Sequence, residues 1–384
     1  MWKILKKKLR IFLWNHSSKN TAMIPKGSVD ISELNSQVEG FLDKLKEYLD
    51  MDPTAYRAMQ LHSYIGKSTL PDFNEAIPSY LYVSRLSHLY CFLYYVMYSL
   101  LIPALVKEDI KSLKLLVFGC GSMIDALSLS YASRDLGKKF DVHYTGVDIA
   151  KWPPTYTIPY ESTFVKKPLQ EYWDDCSVFD GNIIFFPTVL SEINELPDDI
   201  GQFCEGLEKT QLLSDTIFLL VSYRTTAALV KDWRLTDWQK IQRVIHTLEK
   251  KGYFGEHIPV SPPDSWKTYL QCKTANADDD RTYPYYYIAP PYDSKSFAEI
   301  APDFAPTDAI VEFLTSPGIV RTKCQYYAQR RDKYLNKNKT VVAGSEKPEE
   351  VCRQTCPISC HPYPKMILSH KTSPCFQIFI FHRK

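Results

Sequence analysis

The turn Gly119-Cys120-Gly121-Ser122 and the carboxylate of Asp148 are the residues whose types and spacing point most directly to chemistry. Glycine lets the backbone turn sharply and puts no β-carbon between the main chain and a ligand. The apolar run Leu113–Phe118 ends on this turn, and a helical stretch from about Ser122 to Asp135 follows it. A turn between strand and helix offers the free N–H groups of the helix start. Asp148 closes a second strand-like run, Phe140–Ile149, one helix and one strand further on. A carboxylate there can accept hydrogen bonds from both hydroxyls of a ribose. The pair predicts a nucleotide or nucleoside site. A dinucleotide fingerprint would place a third glycine where Ile124 stands, which weighs against a nicotinamide cofactor.

Further residues suggest chemistry with less force. Glu192 follows the apolar segment Asn182–Phe186 and is the best-placed general base; it reads equally as a carboxylate at a helix start. Tyr223 and Arg224 follow another such segment, Thr216–Ser222, and could border the same site. Cys352, Cys356, Cys360 and His361, with Cys324 or Cys375, could ligate zinc or an iron–sulfur cluster, or be unconnected thiols. Tyr283, Tyr285, Tyr286 and Tyr287 could stack on a base, although a packed aromatic strand explains them as well. Arg321, Lys323, Arg330, Arg331 and Lys333 could contact phosphates or form a solvated charged face.

The elements that must position these groups follow from periodicity. Leu34, Val38, Phe41, Leu42, Leu45 and Leu49 recur at helical spacing, and residues 75–106 suggest further tyrosine-rich helices. Strands alternate with helices from residue 113, and Thr163–Lys166 is a weaker strand candidate. Residues 191–213 and 230–251 read as helices, and Phe376–Phe381 as a closing strand with Lys365–Ser369 as a hairpin partner. Such alternation predicts a largely parallel sheet covered on both faces. The chain divides into a basic segment 1–29, a helical region 30–110 and an α/β domain 111–384 with an irregular insertion at about 256–364.

Composition sets the frame. A chain that is 45% hydrophobic and 23% charged is globular rather than disordered, and a formal net charge of +2 makes no global case for a polyanionic partner. Ten cysteines without framework spacing suggest reduced thiols and a cytoplasmic protein. Residues 1–20 carry Lys3, Lys6, Lys7, Lys8 and Arg10 opposite Trp2, Leu5, Leu9 and Phe12. That pattern suits a mitochondrial presequence, a membrane-surface helix or a terminal helix packed on its own domain. Leu89–Val106 is apolar but carries Ser99, Pro103 and four tyrosines, so a buried helix is expected rather than a membrane span.

Leu115–Ser122 resembles motif I of class I S-adenosylmethionine (SAM) methyltransferases, and Gly146-Val147-Asp148 their second motif. Phe185-Phe186-Pro187-Thr188 stands where that family places substrate-facing residues, and Phe376–Lys384 resembles its last, antiparallel strand. The resemblance covers roughly 113–225 and the C-terminus. It implies a Rossmann-like fold with a mostly parallel seven-stranded sheet and SAM as cofactor. The implied cofactor residues are Gly119, Cys120, Gly121, Ser122, Asp148, Ile149, Phe186 and Pro187. Pro153, Pro154 and Pro159 imply that the second helix is short or missing, and Lys166–Gln170 lacks the acid that often holds adenine. Pro187–Ile193 also resembles a segment of methyltransferase-like assembly factors of the mitochondrial small ribosomal subunit. The acceptor is then RNA or a small aromatic molecule, and the alternative is a catalytically inactive binding or assembly protein.

Overall fold

Apolar side chains in the strand segments point alternately to two faces, and each face is covered by helices. In the computed structural model the described residues are 29–51, 73–193, 198–223, 236–258, 270–276, 282–288, 301–310 and 374–384. The basic segment 1–28, Arg224, the cysteines Cys324, Cys352, Cys356 and Cys360, His361, residues 311–350 and Lys365–Ser369 lie outside them.

The strands are β1 (Ser112–Phe118), β2 (Asp141–Asp148), β3 (Glu161–Lys166), β4 (Val178–Phe179), β5 (Ile183–Pro187), β6 (Gln211–Leu212), β7 (Thr216–Tyr223), β8 (Tyr253–His257), β9 (Leu270–Asn276), β10 (Thr282–Ile288) and β11 (Cys375–Arg383). The helices are α1 (Ser32–Met51), α2 (Ala76–Lys107), α3 (Ile124–Asp135), α4 (Asp199–Lys209) and α5 (Asp237–Lys250).

The main sheet runs β3-β2-β1-β5-β7-β11, parallel up to β7, with β11 antiparallel to β7. The far edge of β11 is shared. Its second half, Phe379–Arg383, pairs with β8, and its first residues pair with β10, which continues to β9. The sheet therefore has nine strands rather than the expected seven. The two additions, β9 and β10, fall inside the stretch read as irregular from sequence. Tyr283–Tyr287 is a packed aromatic strand whose ring contacts include Trp238, His257, Phe376 and Phe379.

One sheet face, with Leu113, Leu115, Val117, Tyr144, Phe185 and Leu220, shares a core with α1, α2 and α3. The other, with Leu116, Phe118, Val147, Phe186 and Val221, packs on α4 and α5. Residues 75–106 form one continuous helix rather than several. Residues Cys91–Ile102 are buried on every side because α1, α3 and Phe304 enclose what the sheet does not. The stretch Leu86–Lys107 is long and apolar enough to cross a membrane, yet 78% of its most apolar window is buried in this core.

Local signals fix the helix starts. Asp30 accepts the N–H of Ser32, and Asp198 that of Gly201. Thr236 and Gln239 form a reciprocal capping box on α5. The expected helix 191–213 is cut back to α4, because Leu190–Glu192 forms a separate 3₁₀ turn and Gln211–Leu212 enters a small second sheet with β4. The helix expected at 230–251 is described from Asp237. No helix joins β2 to β3, as Pro153, Pro154 and Pro159 led us to expect.

Candidate functional site

The strand order reverses between β1 and β5: β2 and β3 lie to one side of β1, β5 and β7 to the other. In an open α/β sheet such a switch point opens a crevice at the carboxyl ends of the strands. The turn after β1 and the loop after β5 both meet there. A cavity of about 540 Å³ occupies the crevice, within the range of ordinary ligand sites.

Its floor is the turn. Gly119 and Gly121 sit at φ +72° and +52°, which glycine adopts without strain. A β-carbon at Gly119 would lie 2.4 Å from Val189, so no other residue fits. Met123 follows at φ +64°, an uncommon conformation for a side chain of its size. The turn is clasped to β2 from two directions. Gly119 N–H donates to the Val147 carbonyl at 2.7 Å, and Gly121 N–H donates to Asp148 Oδ2 at 2.9 Å.

Asp148 Oδ1 accepts the N–H of Ala150 at 2.9 Å. The Trp152 side chain and the Ile149 N–H also stabilise the ionised carboxylate. Burial raises the Asp148 pKa, offset in part by these N–H bonds. Ile149 beside it is 65% exposed, an apolar side chain left open at the cavity rim. Leu169 and Gln170, from the 3₁₀ turn after β3, line the same end.

A further wall comes from α2 and from Trp152, whose ring lies 3.6 Å from the position of a β-carbon at Gly121. Tyr82, Tyr90 and Tyr94 line the cavity, with Tyr90 and Tyr94 stacked at 5.9 Å and 8°. Phe73 stacks on Trp152 at 4.3 Å and 14°, and Tyr82 meets both rings edge-on. Tyr94 Oη and Thr188 Oγ1 lie 3.3 Å apart, which ties α2 to the β5 loop. Thr188 is itself at φ +54°. Non-glycine residues in this region concentrate at functional sites.

Glu192 ends the 3₁₀ turn after β5 and lines the cavity. That turn is held from below by a buried lysine. Lys240 Nζ, on α5, donates to the carbonyls of Leu190 at 2.6 Å and Ile193 at 3.0 Å, with Asp237 Oδ1 at 3.6 Å. Glu192 is therefore not at the start of a long helix; α4 begins only at Asp199.

The structure thus brings Gly119, Cys120, Gly121, Ser122, Asp148, Ile149, Pro187 and Glu192 to one cavity. Phe186 is the exception. Strict alternation along β5 turns it to the opposite face, where it packs on Phe118 and Phe203. Tyr223 is also buried and donates to Gln377 Oε1. Cys375, offered as a fourth metal ligand, is buried in β11, and no metal-ligating group of three occurs among the described residues. Sequence reasoning missed Asp125, Tyr90, Tyr94, Trp152 and Lys240. An acid inside the otherwise apolar start of α3, and tyrosines four apart at 90, 94 and 98 in an apolar helix, were the available signals.

Charge on the cavity wall is one-sided. Asp125, Asp148, Glu192 and Asp199 line it, against a single cation among the described lining residues, Lys167. Lys167 is paired with Asp175.

No family model matches the chain, and no curated protein matches it. Solved structures align over parts or most of it. The CMeT domain of the citrinin polyketide synthase is 17% identical over 40% of this chain and 43% of that one, with a TM-score of 0.26. A SAM-dependent methyltransferase from Aquifex aeolicus is 16% identical over 45% of this chain and 84% of that one, at 0.24. The plantazolicin methyltransferase BpumL, in complex with a pentazolic desmethylPZN analogue and S-adenosylhomocysteine (SAH), is 11% identical over 91% and 100%, at 0.27. At these TM-scores the chain's own strand order is the stronger observation. A parallel β3-β2-β1-β5-β7 sheet closed by an antiparallel β11, with helices on both faces, is a Rossmann-like fold.

Proposed function

We propose that this chain is a SAM-dependent methyltransferase acting on a small, planar acceptor. The observation that carries the cofactor reading is the clasp between Gly121 and Asp148 at the switch point of the sheet. It sets a glycine turn beside a buried carboxylate, whose oxygens are acceptors for ribose hydroxyls. Those are the needs of a nucleoside. A pyrophosphate would need cationic or unoccupied N–H donors, whereas the described lining holds four carboxylates and one engaged lysine.

When bound, SAM supplies a methyl group on a sulfonium, displaced in line by the acceptor's nucleophile. Asp148 would hold the ribose hydroxyls, with Ile149 and Leu169 against the base. The turn 119–122 would lie along the amino-acid end. The protein's main contribution is alignment, worth about 7–11 kcal/mol when the geometry is right. Tyr90, Tyr94 and Trp152 form an aromatic wall that would orient a ring. Glu192 is placed to take a proton from the acceptor. The acidic lining favours such a molecule over RNA, whose phosphates it would repel.

Calorimetry with SAM and SAH tests the cofactor reading. Wild type binds both, and Asp148→Ala abolishes binding without loss of the fold by circular dichroism. Absence of binding to wild type would sink the proposal. Binding without turnover across a panel of phenols and aromatic amines would instead favour the inactive, assembly-type reading.

A further inference from the structure

We propose that Asp125 anchors the α-ammonium group of the cofactor's amino-acid end. This rests on the SAM reading above and assigns a residue that neither the turn nor Asp148 requires. Asp125 lies in the first turn of α3 and is 1% exposed. Its Oδ1 accepts the hydroxyl of Tyr144 at 2.9 Å. Its Oδ2 has no hydrogen-bond partner among the described residues, and the side chain lines the cavity. A buried carboxylate left half-satisfied is costly, and proteins retain such a group where a ligand completes it.

The position selects the ligand group. A nucleoside with its ribose on Asp148 must carry its remaining chain along the Gly119–Ser122 backbone. Asp125 stands on the helix that this turn opens into. Tyr90 and Tyr94 wall the same cavity, and aromatic faces add to a carboxylate's preference for a cation. Lys167, the cation among the described lining residues, is held by Asp175.

The unliganded group is poised to respond. Burial raises its pKa to about 7, against the opposing Tyr144 hydroxyl and the N–H groups of Asp125 and Ala126. The titratable groups facing it are Tyr144 on β2, Tyr94 and Tyr98 on α2 and Cys120 in the turn, all held neutral by burial. An arriving ammonium favours the ionised carboxylate, so binding near neutral pH releases a proton.

The test compares SAH with 5′-methylthioadenosine, which keeps the nucleoside and thioether but lacks the amino-acid end. Asp125→Asn should weaken SAH by about tenfold or more, the scale of one charge-assisted hydrogen bond, and leave 5′-methylthioadenosine unchanged. Equal weakening of both ligands, or unchanged SAH affinity, overturns the assignment. Wild type that binds neither ligand overturns the cofactor reading itself, and is recognisable as such.

Discussion

At the residue scale, the site depends on two carboxylates in different environments. Asp148 is tied to two backbone N–H groups, whereas Asp125 has one tyrosine hydroxyl and an open oxygen. The consequence for stability is a matter of sign. The folded pKa of Asp125 is raised from 3.8 to about 7, so the folded chain holds a proton that the unfolded chain releases. Below about pH 4 both states are protonated and Asp125 contributes nothing. As pH rises toward 7 the fold loses stability, on the order of a few kcal/mol once ionisation is complete. Thermal melts of the unliganded wild type and of Asp125→Asn across pH 4 to 7.5 isolate this group from the buried His88 and His257, whose lowered pKa values act in the opposite sense: wild type should lose stability relative to the variant as pH rises. Parallel profiles for the two proteins would contradict the environment described for this group. Asp125 did not stand out as a functional residue in the sequence because an acid in the first turn of a helix has an ordinary explanation.

At the element scale, the 3₁₀ turn after β5 is positioned by a helix distant in sequence. Lys240 replaces water for two carbonyls at the turn and is itself buried. Lys240→Met keeps the aliphatic stem and removes the donors. That leaves buried carbonyls unsatisfied, at about 1–3 kcal/mol each before relaxation, and frees the segment that carries Glu192. The expected outcome is a fall in kcat with SAH affinity within about twofold of wild type, because the Asp148 clasp is untouched. A variant that loses SAH binding and kcat together would show that Lys240 supports the whole crevice rather than this turn. The turns and strands around the site were legible because glycine, apolar alternation and strand-end acids are local signals. Lys240 was not: it sits on the amphipathic α5, and only packing reveals that it faces inward.

At the scale of the whole molecule, α2 serves both the core and the cavity. Cys91–Ile102 is buried, Tyr90 and Tyr94 wall the crevice, and α1 and α3 pack on the same helix. The helical region and the sheet are therefore coupled through one apolar layer. Leu101 is fully buried in that layer, away from the residues that line the cavity. Leu101→Ala should cost about 2–5 kcal/mol by chemical denaturation. SAH should restore part of the loss by mass action. Salt separates the acceptor classes at the same scale. Turnover of a small acceptor should change little between low and physiological ionic strength, whereas an RNA acceptor would lose affinity steeply. A steep loss would overturn the small-molecule reading.

The family resemblance implied the antiparallel direction of the final strand; the sequence by itself determined the turn after β1, the acid at the end of β2, the parallel alternation and the existence of that strand. Each of these is encoded within a few neighbouring residues by backbone freedom or by a period of two. Only the tertiary structure decided which face of β5 meets the cavity, and so removed Phe186 from the site. It alone added β9 and β10 to the edge of β11 and brought Asp125, Tyr90, Tyr94 and Lys240 into play. Those outcomes depend on which elements become neighbours. Strand pairing and burial join residues far apart in the chain, and no local period carries that information.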